Sequence, residues 1–174
     1  MKIEYEIDMN DIMQFQKYHL NNSQQMKKQI LAVRLFIPII IIGIFIAFKI
    51  SSESIIDLIK NYYMLFVVMI LWFFLYPIIA KSSIFRLGKK YYLEGKNKEV
   101  LCKHKITIGK NKITEETKNS KNEHTWDGIE KIVYTNEYIF IYTSALTAHV
   151  VPIRVFKNED EKNKFINALK EYKQ

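Results

Sequence analysis

The sequence predicts an α+β membrane protein: a two-helix transmembrane hairpin plus a small antiparallel β domain closed by a C-terminal helix. Three observations predict it. Asn61–Ala80 has twenty residues without a charge, bounded by Lys60 and Lys81. As a helix it spans about 30 Å, the thickness of a bilayer hydrocarbon core. A second apolar run precedes it. From Lys98 on, short alternating segments separated by turn residues replace the helical pattern, until an amphipathic stripe closes the chain.

Composition agrees with a division into unlike regions. The 174 residues are 49% hydrophobic, and two windows, about 30–50 and 61–80, carry much of that share. A core large enough to surround a twenty-residue apolar helix is beyond a soluble chain of this length. The net charge is +8. The single cysteine, Cys102, excludes an intrachain disulfide and suits a reducing compartment. No signal peptide is expected in the first 29 residues, which mix both charge signs without a long apolar run.

In chain order, residues 1–29 read as a cytoplasmic strand and helix. Lys2–Asp8 alternates, with Ile3, Tyr5 and Ile7 on one face. Asp11 is placed to cap a helix to about Leu20, and Asn21-Asn22-Ser23 breaks it. Residues 30–80 form the hairpin, with helices at about 30–50 and 61–80. The first requires Ile30–Phe48 to span about 28 Å and so includes Arg34, placed to snorkel to the headgroups. Pro38, Gly43 and Pro77 are tolerable in such helices. Lys49–Lys60 is the connecting loop, and its Ile55, Ile56, Leu58 and Ile59 are suited to lengthening the second helix by a turn. Residues 81–97 form a basic juxtamembrane connector, expected to continue as a helix until Gly95.

Residues 98–174 form the β domain. Strands are expected at Val100–Ile108, Lys112–Thr117, Glu123–Trp126, Ile129–Thr135, Tyr138–Ser144 and Ala148–Ile153. Asn158 then caps a helix through Tyr172, with Glu161 at the capping-box position and Phe165, Ile166, Leu169 and Tyr172 on its apolar stripe. Lysine and arginine counts set the orientation. The loop has two, residues 1–34 have five, and residues 81–98 have six. The positive-inside rule puts both termini in the cytoplasm and the protein in the plasma membrane as a multi-pass chain. Topology thus accounts for most of the positive charge, and no basic recognition helix or RNA-binding motif points to nucleic acid.

Thr125-Trp126-Asp127 followed by Ile129, an aromatic-rich strand, Ala148–Phe156 (AHVVPIRVF) and a helix bearing Phe165 resemble the YcxB-like family of bacterial membrane proteins. Ile153-Arg154-Val155-Phe156 departs mildly from the family's usual run after the proline. The resemblance spans nearly the whole chain. It implies a pleckstrin-homology-like (PH-like) C-terminal domain, a small curved sheet or barrel capped by a helix, and no catalytic residues. On that basis Lys2–Asp8 is placed to add a strand to the sheet.

No catalytic, cofactor or metal site is expected. Cys102 and His104 share a strand face and His124 approaches them, but zinc needs three or four ligands at recognisable spacing. The candidate lipid or partner contacts are Lys81, Arg86, Lys89, Lys90, Trp126 and Arg154. Trp126 reads first as packing. Arg154 reads first as a surface residue that is suited to grip a phosphate. The expected function is a non-enzymatic, membrane-anchored interaction module for a protein partner or a second copy of the chain. The alternative is an anionic-lipid-binding or membrane-stress and immunity protein.

Overall fold

The computed structural model describes residues 1–49, 55–95 and 100–173. The centre of the expected loop, 50–54, the last connector residues, 96–97, and the first two residues of the expected β domain, 98–99, lie outside the described residues. The chain divides into two compact units: Tyr18–Leu87, and a second built from Met1–Lys17 together with Gly88–Gln174.

The Tyr18–Leu87 unit is helical. Helix α1 (Met9–Asn22) runs into it, and α2 (Gln24–Lys49) and α3 (Ile55–Leu93) follow. Ser23 breaks α1 from α2, and its Oγ accepts from the Met26 N–H at 3.3 Å, a normal N-cap arrangement. Helix α3 has 39 residues, about 58 Å at 1.5 Å per residue. It exceeds the expected 61–80 at both ends. The apolar residues from Ile55 extend it at its start. At its end nothing interrupts it until Gly95, whose φ of 55° is the left-handed conformation that stops helices. Both α2 and α3 are long and apolar enough to cross a membrane, and in their most apolar windows 0% and 6% of residues are buried. Phe45 lies edge-on to Tyr62 and Phe66, with ring centroids 4.9 and 6.2 Å away. Arg34 does not extend along its own helix. Its guanidinium lies 3.6 Å from the centroid of Phe73, and Nε donates to the Phe73 carbonyl at 2.7 Å.

The other unit is β-rich. Four strands, β1 (Lys2–Glu6), β2 (Lys103–Ile108), β3 (Lys112–Glu116) and β4 (Lys121–Thr125), form an antiparallel sheet in that order. A three-stranded sheet follows, β5 (Lys131–Tyr134), β6 (Tyr138–Tyr142) and β7 (Ala148–Pro152), also in chain order. Helix α4 (Glu159–Tyr172) closes the chain. Strand β1 pairs with β2 in the register Ile3–Ile106 and Tyr5–His104, so the N-terminal strand does complete the sheet.

Register explains the core. Partners across an antiparallel pair point to the same face. Ile3, Tyr5, His104, Ile106, Ile108, Ile113 and Glu115 therefore share the inner face of the first sheet, and all are buried. Strand β6, YIFIY, is buried at every position, as a strand covered on both faces should be. Phe140 and Tyr142 take Phe15 of α1 on one face, at 5.5 and 5.7 Å. Ile139 and Ile141 share the other face with Val151 and His149. Helix α4 buries Phe165 and Leu169 completely.

Several boundaries differ from expectation. Strand β2 begins at Lys103 rather than Val100, and Trp126 lies in a short 3-10 turn rather than in a strand. Asp8, not Asp11, caps α1. Asp8 Oδ1 accepts from the Asp11 N–H and Asp11 Oδ2 from the Asp8 N–H, each at 2.9 Å. A reciprocal box formed by two aspartates satisfies two orphan N–H groups and starts the helix earlier. At α4, Asn158 caps as expected, accepting from the Glu161 N–H at 2.9 Å. The Glu161 carboxylate reaches one residue further back, to the Lys157 N–H at 2.7 Å.

Candidate functional site

Two polar clusters are built into the β-rich unit. The first lies between the sheets. Glu115 accepts from His104 Nδ1 at 3.0 Å through one oxygen and from His149 Nδ1 at 2.9 Å through the other. His104 Nε2 faces the Val100 carbonyl at 2.8 Å. Both ring nitrogens of His104 therefore face acceptors, and both bonds form only when the ring is a doubly protonated imidazolium. Tyr5 stacks on that ring at 6.0 Å from the opposite strand. His124 lies 5.5 Å from His149.

Electrostatics follow from this geometry. Burial works against the charge on Glu115, but the N–H bonds from His104 and His149 outweigh it and hold the carboxyl far below the usual range. Burial likewise works against a charged His104, and the Glu115 and Val100 acceptors outweigh it, so the ring is held above its ordinary value. A cleft of about 300 Å³ opens beside the pair, lined by Ile7, Ile12, Val100 and Val150 and by Asn119, Ser120 and Asn122. A carboxylate with both oxygens engaged and an imidazolium without a lone pair are poor bases, and through Glu115 and His149 the cluster links β3 of the first sheet to β7 of the second. Among the described residues, no three His, Cys, Asp or Glu side chains are grouped to hold a metal ion.

The second cluster ties α1 to the end of β7. Asp11, fully buried, takes both Nη atoms of Arg154 at 2.5 and 2.7 Å. It also accepts the Tyr138 hydroxyl at 3.1 Å. Burial raises the Asp11 carboxyl, but Arg154, the Asp8 N–H and Tyr138 outweigh it and hold it below its ordinary value. Burial and the Asp11 charge push the Tyr138 hydroxyl up to about 12. The adjoining cleft of about 470 Å³ is lined by Asp8, Glu137 and Arg154, among others. Two carboxylates and one guanidinium make that mouth unfavourable for a phosphate. The fork of Arg154 is already filled by Asp11.

The remaining candidate residues are dispersed. Trp126 is buried; its Nε1 donates to the carbonyls of Gly109 and Lys110, both at 3.1 Å, and its ring stacks on Tyr172 at 5.4 Å. It joins the β2–β3 turn to α4, which is the packing role first expected of it. Lys81 donates to Asn21 Oδ1 at 3.0 Å. Arg86, Lys89 and Lys90 are exposed on the last turns of α3, with Lys90 3.7 Å from Glu94. The residues that sequence reasoning missed are Glu115, His149 and Asp11. For Glu115 the available signal was register: a hairpin turning at Gly109–Asn111 sets it opposite Ile106, on the buried face.

No curated protein and no solved structure gives a significant match to the chain. From Ile108 at the end of β2 to Leu169 in α4, residues 108–169 match the model of the YcxB-like protein family, so the segment bearing Glu115, Trp126, His149 and Arg154 is similar to that family over about a third of the chain.

Proposed function

We propose that the protein is a membrane-anchored, non-enzymatic interaction module of PH-like architecture that binds or regulates a protein partner at the inner surface of the plasma membrane. The observation that carries the anchoring is the pairing of β1 with β2. Strand β1 precedes α2 and α3, and β2 follows them. Two hydrogen-bonded strands lie on one side of a bilayer, so the chain between them crosses an even number of times. Two apolar helices supply that number. Each is too exposed and too apolar to face water. The lysine and arginine asymmetry then favours the cytoplasmic side for both termini.

The PH-like reading draws support from the four-plus-three strand order and the closing helix α4. A partner strand would add to β4, an edge of the first sheet, or a partner would seat beside α4. The test is crosslinking of the tagged full-length protein in its native membrane, followed by mass spectrometry of proteins and lipids. A stoichiometric protein, or a second copy of this chain, supports the module. Neither crosslinking at any position along β4 or α4 would refute it.

The exposed Arg86, Lys89 and Lys90 favour a second reading, attraction to anionic headgroups at about 1 kcal/mol per cation near the surface. An enriched anionic lipid without a protein partner would select it. Protection against a membrane-acting toxin is a special case of the module.

A further inference from the structure

The bond between Arg34 and the Phe73 carbonyl has a sequence origin. In an α-helix the carbonyl of residue 73 accepts from the N–H of residue 77. Residue 77 is Pro77, which lies inside α3 and has no N–H. Its ring also crowds the carbonyl four residues back and tilts it out of the helix. The Phe73 oxygen is thus orphaned by sequence, about 12 Å along α3 from Lys81. In a bilayer no water reaches it at low cost. Arg34 Nε donates to that oxygen at 2.7 Å, and the guanidinium lies 3.6 Å from the Phe73 ring centroid. The same offset recurs in the other helix. Pro38 lies inside α2, and the carbonyl four residues before it belongs to Arg34 itself. Each residue of the Arg34–Phe73 pair therefore lies four positions before a proline of its own helix.

We infer that Arg34 is a positioning residue of the hairpin: it caps the backbone carbonyl that Pro77 deprives of its helical donor, and so fixes the register of α2 against α3. A guanidinium suits the task. It stays charged in an apolar setting, stacks flat on an aromatic ring, and offers N–H groups in its own plane. This explains why a charge stands at the margin of an otherwise apolar run. The inference is independent of whether the partner is a protein or a lipid.

A double-mutant cycle tests it on the full chain reconstituted in phosphatidylcholine and phosphatidylglycerol bilayers, with unfolding titrated by detergent denaturant. The variants are R34M, P77A and R34M/P77A. P77A restores the N–H and makes the cap redundant. R34M alone should shift the unfolding equilibrium by about tenfold or more, the scale of a hydrogen bond to a charged donor. In the P77A background the same change should cost about threefold or less. If R34M fails to insert or fold, R34M/P77A should recover the folded hairpin. Equal losses in the two backgrounds, or a double variant as defective as R34M, would overturn the inference.

Discussion

Glu115 offers the sharpest test of how the two sheets are held. Its carboxylate is the shared acceptor of His104 and His149, with a side chain only 10% exposed. Truncation to alanine leaves the His104 imidazolium buried without a counter-charge. Breaking a buried pair in this way costs about 3–5 kcal/mol. E115Q acts differently. Its amide oxygen accepts from His149 Nδ1–H, and its NH₂ donates to a His104 that has moved to the neutral tautomer and still donates from Nε2 to Val100. The bonds to His149 Nδ1, to His104 Nδ1 and to the Val100 carbonyl each keep a donor and an acceptor, and the charge is gone.

The pH dependence separates these cases. His104 is held above its ordinary value in the folded state. Its contribution is therefore complete below the unfolded value of about 6.5 and is lost as pH rises through the folded value. One proton limits the slope to about 1.4 kcal/mol per pH unit. Glu115 is held low, so its contribution is present above about 4.5 and lost only as pH falls well below that. The other groups facing the cluster are Tyr5 from β1, His149 from β7 and His124 from β4. Burial raises the Tyr5 hydroxyl away from this range. Burial and the neighbouring His149 lower His124, so its contribution is lost as pH falls; H124N removes that opposing trend. Stability of the H124N chain should decline from pH 6.5 upward. With E115Q added, His104 is buried and neutral, its protonation is disfavoured, and stability should instead rise between about pH 5 and 7. The assay is denaturant unfolding of the full chain in mild detergent, followed by Trp126 emission in a W72F background. A decline above pH 6.5 that persists unchanged in E115Q would refute the assignment of the charge to His104.

Three further outcomes follow from the other contacts. R154M strands the buried Asp11 carboxylate; because Arg154 is 51% exposed and Asp11 keeps Asp8 and Tyr138, the loss should be about 2 kcal/mol rather than the full buried-pair value, read by denaturant unfolding. The Asp11 carboxyl is held low, so this contribution should vanish as pH falls below about 3.8, leaving wild type and R154M equal in acid. W126F removes the indole donor to Gly109 and Lys110 and should cost about 1–2 kcal/mol in the same measurement. K89E/K90E should leave unfolding unchanged and weaken flotation of the reconstituted chain with anionic vesicles at low salt, a difference that about 0.5 M salt should erase.

Much of the fold was legible because it follows from periodicity. The alternation of Lys2–Asp8, the charge-free runs and the stripe of α4 each state a geometry that one sequence specifies locally. The polar interior was harder to read. Glu115 stands beside Glu116, and nothing in its own neighbourhood marks one as buried and the other as exposed; only the partner strand's register decides. His104 shares the phase of Ile106 and Ile108, which implies a buried imidazole in need of acceptors. One of those acceptors, the Val100 carbonyl, is a main-chain atom with no sequence signature. Asp11 looked like a cap because an aspartate before an apolar helix usually is one. Its second role depends on Arg154, 143 residues away.

The placement of β1 carries the most consequence for function. Strand β1 contributes Ile3 and Tyr5 to the inner face, with Tyr5 stacked on His104. Folding of the β-rich unit therefore requires residues from both sides of the two apolar helices. A chain in which only one of those helices crosses the membrane strands β1 on the wrong side, leaves β2 with an unpaired edge, and uncovers Tyr5, Ile106 and the His104 ring. If the two helices cross a bilayer, they must therefore cross together for the first sheet to be complete. Under the proposed anchoring, a hairpin inserted by one helix alone cannot complete the first sheet, and the pairing of β1 with β2 selects against that half-inserted chain.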